Sequence, residues 1–280
     1  MQEDPKDSAA QLVRLNKYLA DNGIASRRRA DQLIAEGQVM VDGHIVTTLG
    51  TKIDPVTQRV EWDGHIMRPT GETHRYYLLN KPTGVVCTND EKELRRRVWD
   101  MIGDPAKGRI YPVGRLDVDS SGLIILTNDG GFTHKVTHPS FGIEKTYEVQ
   151  IPGFVAEEAL ERVRRGMHLA EGRTAGARIA VLGRNDHLTK VSITLTEGKN
   201  REVRRVFARF GFKVKSLHRV AIGPLKDKGL AVGNWRQLGP EEVKAILAAG
   251  QVPSSRRPRR PVAKPHRKPE SGSKQGPWGQ

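Results

Sequence analysis

The sequence predicts an α+β protein in which a small N-terminal domain precedes a larger, strand-rich domain. Up to residue 46, apolar residues are spaced first as on the faces of helices and then as in a β-hairpin. After residue 75, runs typical of strands outnumber the clear helical stretches. Strands and helices do not alternate regularly there, so a repeating βαβ unit is not predicted.

The first domain is predicted at residues 11–66, after a polar segment, residues 1–10, that we expect to be disordered. A first helix ending at Gly23 is indicated by apolar residues that share one face: Leu12, Leu15, Tyr18 and Leu19. Ser26 is a natural N-cap for a second helix that ends at Gly37. The buried face of this helix is supplied by Ala30, Leu33 and Ile34.

Residues 39–46 predict a hairpin around the Asp-Gly turn at residues 42–43. Three arginines stand at the start of the second helix: Arg27, Arg28 and Arg29. The helix dipole disfavours cations at this end, so phosphate binding would account for their placement, and a solvated basic turn accounts for it equally well. We therefore treat these arginines as candidate RNA-binding residues.

An interdomain linker is predicted at residues 67–75, where Pro69, Thr70 and Gly71 interrupt the apolar periodicity. The second domain is predicted at residues 76–250. Its strand-type runs are Tyr76–Leu79, Val85–Thr88, Leu123–Leu126, Thr146–Ile151, Ala177–Leu182, Leu188–Leu195 and Val214–Val220. Its helical stretches are Ala156–Arg165, Arg201–Phe210 and Glu241–Ala249.

The charge of the chain indicates a polyanionic partner. The 280 residues carry a formal net charge of +15, and the sequence pI is about 10.1, which is typical of nucleic-acid binding. No apolar run approaches the roughly 18 residues of a membrane span, and residues 1–10 do not resemble a signal peptide. We therefore expect a cytoplasmic protein without a membrane partner.

The segment at residues 251–280 is expected to be a disordered basic tail. It contains eight Lys or Arg residues and one Glu, with five prolines between Pro253 and Pro269. A solubility tail would have the same composition, but a cationic arm on a nucleic-acid-binding protein adds affinity for the phosphate backbone.

A second candidate site surrounds Asp117, in the segment Gly-Arg-Leu-Asp-Val-Asp-Ser-Ser-Gly at residues 114–122. The apolar run Leu123–Leu126 that follows predicts a buried strand, so Asp117 lies in a tight turn at its start. A carboxylate fixed there beside Arg115 can act as a nucleophile or base. Taken alone, the segment is more typical of a turn in which Asp and Ser side chains bind backbone donors.

Four ordered motifs resemble the RsuA/RluB family of RNA pseudouridine synthases. They are Tyr-Leu-Leu-Asn-Lys-Pro-Thr-Gly-Val-Val at residues 77–86, the segment around Asp117, Glu-Lys-Thr-Tyr at residues 144–147, and Glu-Gly-Lys-Asn-Arg-Glu-Val-Arg-Arg at residues 197–205. The N-terminal helices and hairpin resemble the RNA-binding domain named after ribosomal protein S-four. Together the resemblances cover roughly residues 11–250.

The resemblance implies a second domain with a mixed, mostly antiparallel sheet and no cofactor. It marks Asp117 as the catalytic aspartate, Tyr147 as the aromatic residue that stacks on the target base, and Arg204 as the cation that pairs with Asp117. The aspartate would attack either the ribose or the uracil ring, and the sequence does not choose between these routes. Asp119 is expected to be a turn residue, since two adjacent carboxylates repel.

The resemblance also marks further candidate RNA-binding residues: Lys81, Arg115, Arg201 and Arg205. Lys81 would contact a phosphate or support a loop, whereas Arg201 and Arg205 would share a helix face turned towards phosphate. His134 and His138 have the spacing of a metal-binding pair, but no further ligands complete the set, so no metal is expected.

The leading functional prediction is conversion of a specific uridine to pseudouridine in ribosomal RNA or a pre-ribosomal particle, by a monomer. The Tyr-Pro-Val segment at residues 111–113 and the basic tail favour the RluB branch, which acts on large-subunit RNA, over the RsuA branch, which acts on small-subunit RNA. A non-catalytic RNA-binding protein of ribosome assembly is an alternative. A glycosidase is disfavoured, because Asp117 and Asp119 are too close in sequence and the protein is too basic for a neutral sugar.

Overall fold

The computed structural model describes residues 12–67, 73–90, 92–170 and 172–250. The two segments expected to be disordered, residues 1–10 and 251–280, and most of the predicted linker lie outside these ranges. Within the described ranges, no helix has the length and apolar character needed to cross a membrane.

The N-terminal domain contains two helices, α1 (Leu15–Asp21) and α2 (Arg27–Ala35). Its strands are β1 (Val13–Arg14), β2 (Val39–Val41), β3 (His44–Ile45), β4 (Lys52–Ile53), β5 (Val60–Trp62) and β6 (His65–Met67). Strands β2, β3, β5 and β6 form an antiparallel sheet in the order β3-β2-β5-β6, and β1 pairs with β4. The helices pack on this sheet through a core that includes Leu15, Leu19 and Ile34.

Local sequence signals account for most of this domain. The hydroxyl of Ser26 accepts a hydrogen bond from the Arg29 backbone N–H at 3.2 Å, which confirms the predicted N-cap of α2. The predicted hairpin is also confirmed, since Met40 pairs with Ile45 around a turn whose two central residues have positive φ. The prediction for Leu12 is wrong, because this residue precedes β1 and is 57% exposed.

The second domain is built on a nine-stranded sheet. Its strands are β7 (Tyr76–Lys81), β8 (Tyr111–Pro112), β9 (Ser121–Thr127), β10 (Lys145–Pro152), β13 (Arg178–Arg184), β14 (Leu188–Leu195), β15 (Ser216–Ile222), β16 (Leu225–Lys226) and β17 (Trp235–Gln237). A separate hairpin consists of β11 (His168–Leu169) and β12 (Gly172–Arg173). The helices are α3 (Gly130–Thr137), α4 (Glu157–Arg165), α5 (Glu202–Ala208) and α6 (Pro240–Ala249). Short 3-10 helices span Val98–Met101, Pro105–Lys107 and Pro139–Phe141.

The order of the large sheet is β13-β14-β10-β15-β9-β7-β17, with β8 beside β9 and β16 beside β15. Its strand pairs are antiparallel except for β9 and β15, which run parallel. The predicted mixed, mostly antiparallel sheet is therefore confirmed. Alternate residues of β9 enter two cores: Ile124 packs on the same face as Tyr147, and Ile125 packs on the other face with Phe132.

A glycine permits the close approach of the two parallel strands. Gly122 on β9 has φ of 110°, and a Cβ atom there would lie 2.3 Å from the backbone nitrogen of Arg219 on β15. Only a residue without a side chain fits this position. The approach sets the start of β9, and with it the Asp117 turn, directly beside β15.

Two predicted elements require correction, and one helix was not predicted. Residues 85–88 form only an isolated bridge, in which Val86 pairs with Arg97, and not a strand. Helix α3 was not predicted, because its sequence begins with two glycines; the Asp129 carboxylate caps it by accepting from the Phe132 N–H at 2.8 Å. Helix α5 begins at Glu202, so Arg201 is its N-cap and not a helical residue.

Candidate active site

The Asp117 turn is fixed by hydrogen bonds on both sides. The Ser120 N–H donates to the Asp117 carbonyl at 3.1 Å, which closes the turn ahead of β9. The Gly84 N–H donates to the Val118 carbonyl at 2.7 Å, so the segment after β7 supports the turn from below. The Asp117 side chain is 17% exposed, which leaves it within reach of a bound molecule while its surroundings stay ordered.

The cation that pairs with Asp117 is Arg201. Its Nη1 lies 3.3 Å from Asp117 Oδ2, and the same guanidinium donates two hydrogen bonds to the Asp119 carboxylate at 3.1 and 2.9 Å. Arg201 has φ of 48°, a left-handed backbone that directs the chain into α5. One arginine thus joins both carboxylates of the turn.

Arg204 occupies a neighbouring position, and its predicted pairing with Asp117 is wrong. Its Nη2 donates to the Asp119 carbonyl at 2.9 Å and to the Ser120 hydroxyl at 3.2 Å, and its Nε lies 3.4 Å from Asp119 Oδ2. Its Nη1 donates to the Val214 carbonyl at 3.0 Å. Arg204 therefore connects the Asp117 turn to the loop after α5. The physical reason is the position of each residue. Arg201 precedes α5 and its side chain reaches Asp117, whereas Arg204 lies in the first turn of α5 and its side chain reaches the backbone carbonyls of Asp119 and Val214.

Asp119 has a larger role than that of a turn residue. The hydrogen bonds from Arg201, and next the charge of Arg204, hold the pKa of this carboxyl below its usual value against the opposing effect of burial. Two arginines thus offset the repulsion between the carboxylates. The turn combines Asp117 and Asp119 with two fixed cations.

Tyr147 lies on β10, on the same face of the sheet as the large core, and is 9% exposed. It pairs across strands with Arg219 of β15, and the Arg219 Nη1 donates to the Tyr147 hydroxyl at 3.5 Å. The guanidinium carbon lies 5.9 Å from the centre of the tyrosine ring. Arg219 was not predicted as a site residue. The sequence contained one indication of its position: Arg219 is two residues after Leu217, so both side chains lie on the same face of the predicted strand, and an arginine on an apolar strand face is unusual.

Lys81 is fully buried at the end of β7 and is not available to an RNA phosphate. Its Nζ donates to the carbonyls of Pro82 and Val85 at 2.9 and 2.8 Å, so the loop-supporting role is the one that the structure bears out. Burial lowers the pKa of Lys81, while the charges of Cys87, Asp117 and Asp119 oppose this effect. Lys81 thus supports the loop whose Gly84 N–H contacts the Asp117 turn.

The other predicted RNA-binding residues lie at or near the surface. Arg115 is exposed two residues before Asp117, and Arg205 is half-buried on α5, where it donates to the Asn200 carbonyl at 3.3 Å. Three exposed arginines stand at the start of α2 in the N-terminal domain: Arg27, Arg28 and Arg29. Among the predicted RNA-binding residues, Arg201 contacts the Asp117 turn, whereas the three arginines of α2 belong to the N-terminal domain.

The described residues contain no group of three or more His, Cys, Asp or Glu side chains arranged to hold a metal ion. The rings of His134 and His138 lie 5.0 Å apart on and after α3, and both contact Phe141. These histidines form part of an aromatic cluster.

Two sequence families match the two domains. The family described as RNA pseudouridylate synthase matches residues 75–209, and the S4 domain matches residues 13–58. The ribosomal large subunit pseudouridine synthase B of Bacillus subtilis is 41% identical over 239 residues, covering 85% of this chain and 96% of that protein. The chain belongs to the RNA pseudouridine synthases.

Other members of the family support the same assignment. The ribosomal small subunit pseudouridine synthase A of Vibrio parahaemolyticus is 34% identical over 84% of this chain and 99% of its own length. A crystal structure described as a pseudouridylate synthase superimposes with a TM-score of 0.60 at 32% identity, covering 84% of this chain and 99% of that one. This synthase therefore matches these relatives over most of its length and shares the fold of the solved structure.

Proposed function

We propose that this synthase converts a specific uridine of large-subunit ribosomal RNA to pseudouridine, with Asp117 as its catalytic residue. The observation that carries the proposal is the partly exposed Asp117 carboxylate, held 3.3 Å from Arg201 at the start of β9. A carboxylate fixed in this way at the mouth of a strand is placed to act as a nucleophile. The large-subunit assignment rests on the higher identity to the Bacillus subtilis protein than to the small-subunit enzyme.

The reaction is an isomerisation and is balanced without a co-reactant. The bond from ribose C1′ to uracil N1 breaks, and a bond from C1′ to C5 forms. The proton on C5 is lost, and N1 gains one. Asp117 would assist either by adding to C1′ as the base leaves or by adding to the ring, and both routes need its negative charge. No electrons are gained or lost overall, so the chemistry requires no redox cofactor.

The target uridine must leave its stack to reach Asp117. Extrusion of a base costs a few kcal/mol, and stacking on an aromatic side chain recovers part of that cost. Tyr147 supplies the aromatic ring in this proposal. In the free protein its hydroxyl accepts a hydrogen bond from the Arg219 Nη1 at 3.5 Å.

Binding of the RNA would rest on phosphate contacts spread over both domains. The exposed arginines at the start of α2 and around the Asp117 turn provide these contacts, and the net charge of +15 adds long-range attraction. We propose that the protein acts as a monomer in the cytoplasm, where it would meet ribosomal RNA or its precursor particles.

Purified protein incubated with separate large- and small-subunit ribosomal RNA transcripts tests the proposal. We expect pseudouridine at one position of the large-subunit RNA, as mapped by carbodiimide labelling and primer extension. Product in the small-subunit RNA alone would support the alternative assignment that the Vibrio parahaemolyticus enzyme suggests. Tight binding without product in naked RNA or in precursor particles would indicate a non-catalytic assembly protein.

A further inference from the structure

Arg219 is a buried cation whose hydrogen-bonding capacity is only partly used. It is 5% exposed, and its Nε donates to the Leu123 carbonyl at 2.6 Å. Its Nη1 makes the long bond to the Tyr147 hydroxyl. Its Nη2 is buried and has no hydrogen-bond partner among the described residues. A buried, unpaired N–H of a charged group is costly, so its presence calls for an explanation.

The position of Arg219 ties it to the proposed active site. It pairs with Tyr147 of β10 on one side and with Gly122 of β9 on the other. The guanidinium therefore lies between the strand that carries the stacking ring and the strand that begins just after Asp117. The missing side chain at Gly122 is what lets the β15 backbone approach so closely.

The surroundings of Arg219 hold an excess of positive charge. Lys81 and Lys145 are both close enough for the charge of Arg219 to lower their pKa values, although burial is the larger cause for each. For Lys145 the pKa falls to about 8. Buried cations of this kind favour electron-rich ligand atoms, such as carbonyl oxygens, at the same place.

We propose that Arg219 binds the target base, its Nη2–H donating to a carbonyl oxygen of the uracil ring stacked against Tyr147. The inference rests on the proposed function and extends it to the selection of the base. Uracil carries carbonyl oxygens at ring positions 2 and 4, whereas cytosine carries an amino group at position 4. A contact with the oxygen at position 4 would thus reject cytidine, because two N–H donors would face each other.

Entry of the base must uncover this donor. Tyr147 and the Arg219 Nη2 are both covered in the free protein. The tyrosine ring therefore has to shift as the base enters. The Arg219 Nη2–H, which has no hydrogen-bond partner among the described residues of the free protein, then donates a hydrogen bond to the base. This hydrogen bond forms only when a base is bound, so it stabilises the complex and not the free protein.

Binding of sulfur-substituted RNA to the Asp117→Asn protein tests this contact. The RNA is the fragment whose uridine the unchanged protein converts, prepared with uridine, 2-thiouridine or 4-thiouridine at that position. Sulfur is a weaker acceptor than oxygen, so one of the two analogues should bind about tenfold more weakly than uridine. The analogue that loses affinity identifies the contacted oxygen.

Arg219→Gln in the same background should weaken binding of the uridine RNA about tenfold and abolish the difference between uridine and that analogue. Arg178→Gln is the matched control, because Arg178 is exposed and paired with Glu144 on the edge strand β13. It should leave all three affinities unchanged. A merely structural role for Arg219 would weaken the three RNAs equally and would contradict the proposal.

If Arg219→Gln does not fold, as judged by its thermal melting, the affinities of the three RNAs for the protein that retains Arg219 test the proposal by themselves. Equal affinity of the Arg219-containing protein for all three RNAs would overturn the base contact. The unchanged protein is assayed for pseudouridine on the same uridine RNA. Product together with equal affinities would refute only the role of Arg219, whereas absence of product would refute the proposed function itself.

Discussion

Asp117 obtains its cation from a residue with an unusual backbone. A non-glycine residue at φ of 48° costs on the order of 1 kcal/mol or more, and such conformations cluster at functional sites. In Arg201 this backbone places the guanidinium against both Asp117 and Asp119. The strained backbone of Arg201 thus helps to fix the position of Asp117, the carboxylate of the proposed reaction.

Arg201→Lys should lower the single-turnover rate at saturating RNA by at least about tenfold. Lysine keeps the charge but has no planar fork with which to bind two carboxylates at once. Arg209→Lys serves as the control, because Arg209 is exposed at the end of α5 and has no assigned role. A rate for Arg201→Lys equal to that of the control would place the functional cation elsewhere.

The roles of individual residues were only partly predictable from sequence. The motif around Asp117 located the turn, and Tyr147 lies on the predicted strand. The partner of Asp117 was misassigned because the family resemblance marked Arg204, whereas Arg201, the N-cap of α5, is the arginine that reaches Asp117. Arg219 escaped notice because long-range strand pairing, which no local pattern contains, brings it to Tyr147.

Glu202 should make the protein less stable as the pH rises. Burial, and next the neighbouring Glu197, raise the pKa of Glu202 to about 7 from a usual value near 4.5. Between these values the unfolded chain has lost the proton that the folded chain keeps, so the free energy of unfolding falls with increasing pH. Below about 4.5 this penalty is absent, and above about 7 it is complete.

Glu202→Gln should therefore raise the melting temperature at pH 8 and flatten its pH dependence between pH 5 and 7, with a gain on the order of 1 kcal/mol. Glu148→Gln on the exposed side of β10 is the control and should change neither quantity. A Glu202→Gln protein that is less stable than the unchanged protein at pH 8 would contradict this account.

At the scale of elements, the strands were predicted best. The run Leu188–Leu195 coincides with β14, because its alternating residues face the core and solvent in turn. Helix α3 was missed for the opposite reason. Its glycines disfavour a helix, but Phe132 and Val136 are buried in the second core, and this packing outweighs the local preference.

Gly122→Ala should be strongly destabilising, on the order of 3 kcal/mol or more, since its Cβ would collide with the β15 backbone and φ is unfavourable for alanine. Gly183→Ala is the matched control, because Gly183 lies on the edge strand β13 with nothing within 4 Å of an added Cβ. Chemical denaturation measures both variants. A loss below about 1 kcal/mol for Gly122→Ala would show that the two strands can separate without cost.

At the scale of the whole molecule, part of the basic charge lies in different segments of the sequence from the motifs of the proposed active site. The four matched motifs lie between residues 77 and 205, whereas basic residues are also concentrated at the start of α2 and beyond residue 250. We expect the outlying charge to serve binding and the motifs to serve the reaction. Composition predicted the polyanionic partner, but the assembly of the site depended on the fold.

Deletion of residues 251–280 should raise the RNA concentration needed for half-maximal rate and reduce the salt dependence of binding. Fewer phosphates are neutralised, so fewer counterions are released when the RNA binds. The single-turnover rate at saturating RNA should stay within about threefold of that of the full chain. Loss of that rate in a folded truncation would make the tail part of the active site.

The central claim is that Asp117 is the catalytic carboxylate of an RNA pseudouridine synthase, and Asp117→Asn tests it most directly. Asparagine preserves the shape of the side chain but removes its charge and nucleophilicity. Pseudouridine formation and RNA affinity are measured on the same large-subunit RNA under single-turnover conditions. The account predicts no detectable product with an affinity within about threefold of that of the unchanged protein. Product formation by Asp117→Asn at a rate comparable to that of the unchanged protein would contradict it.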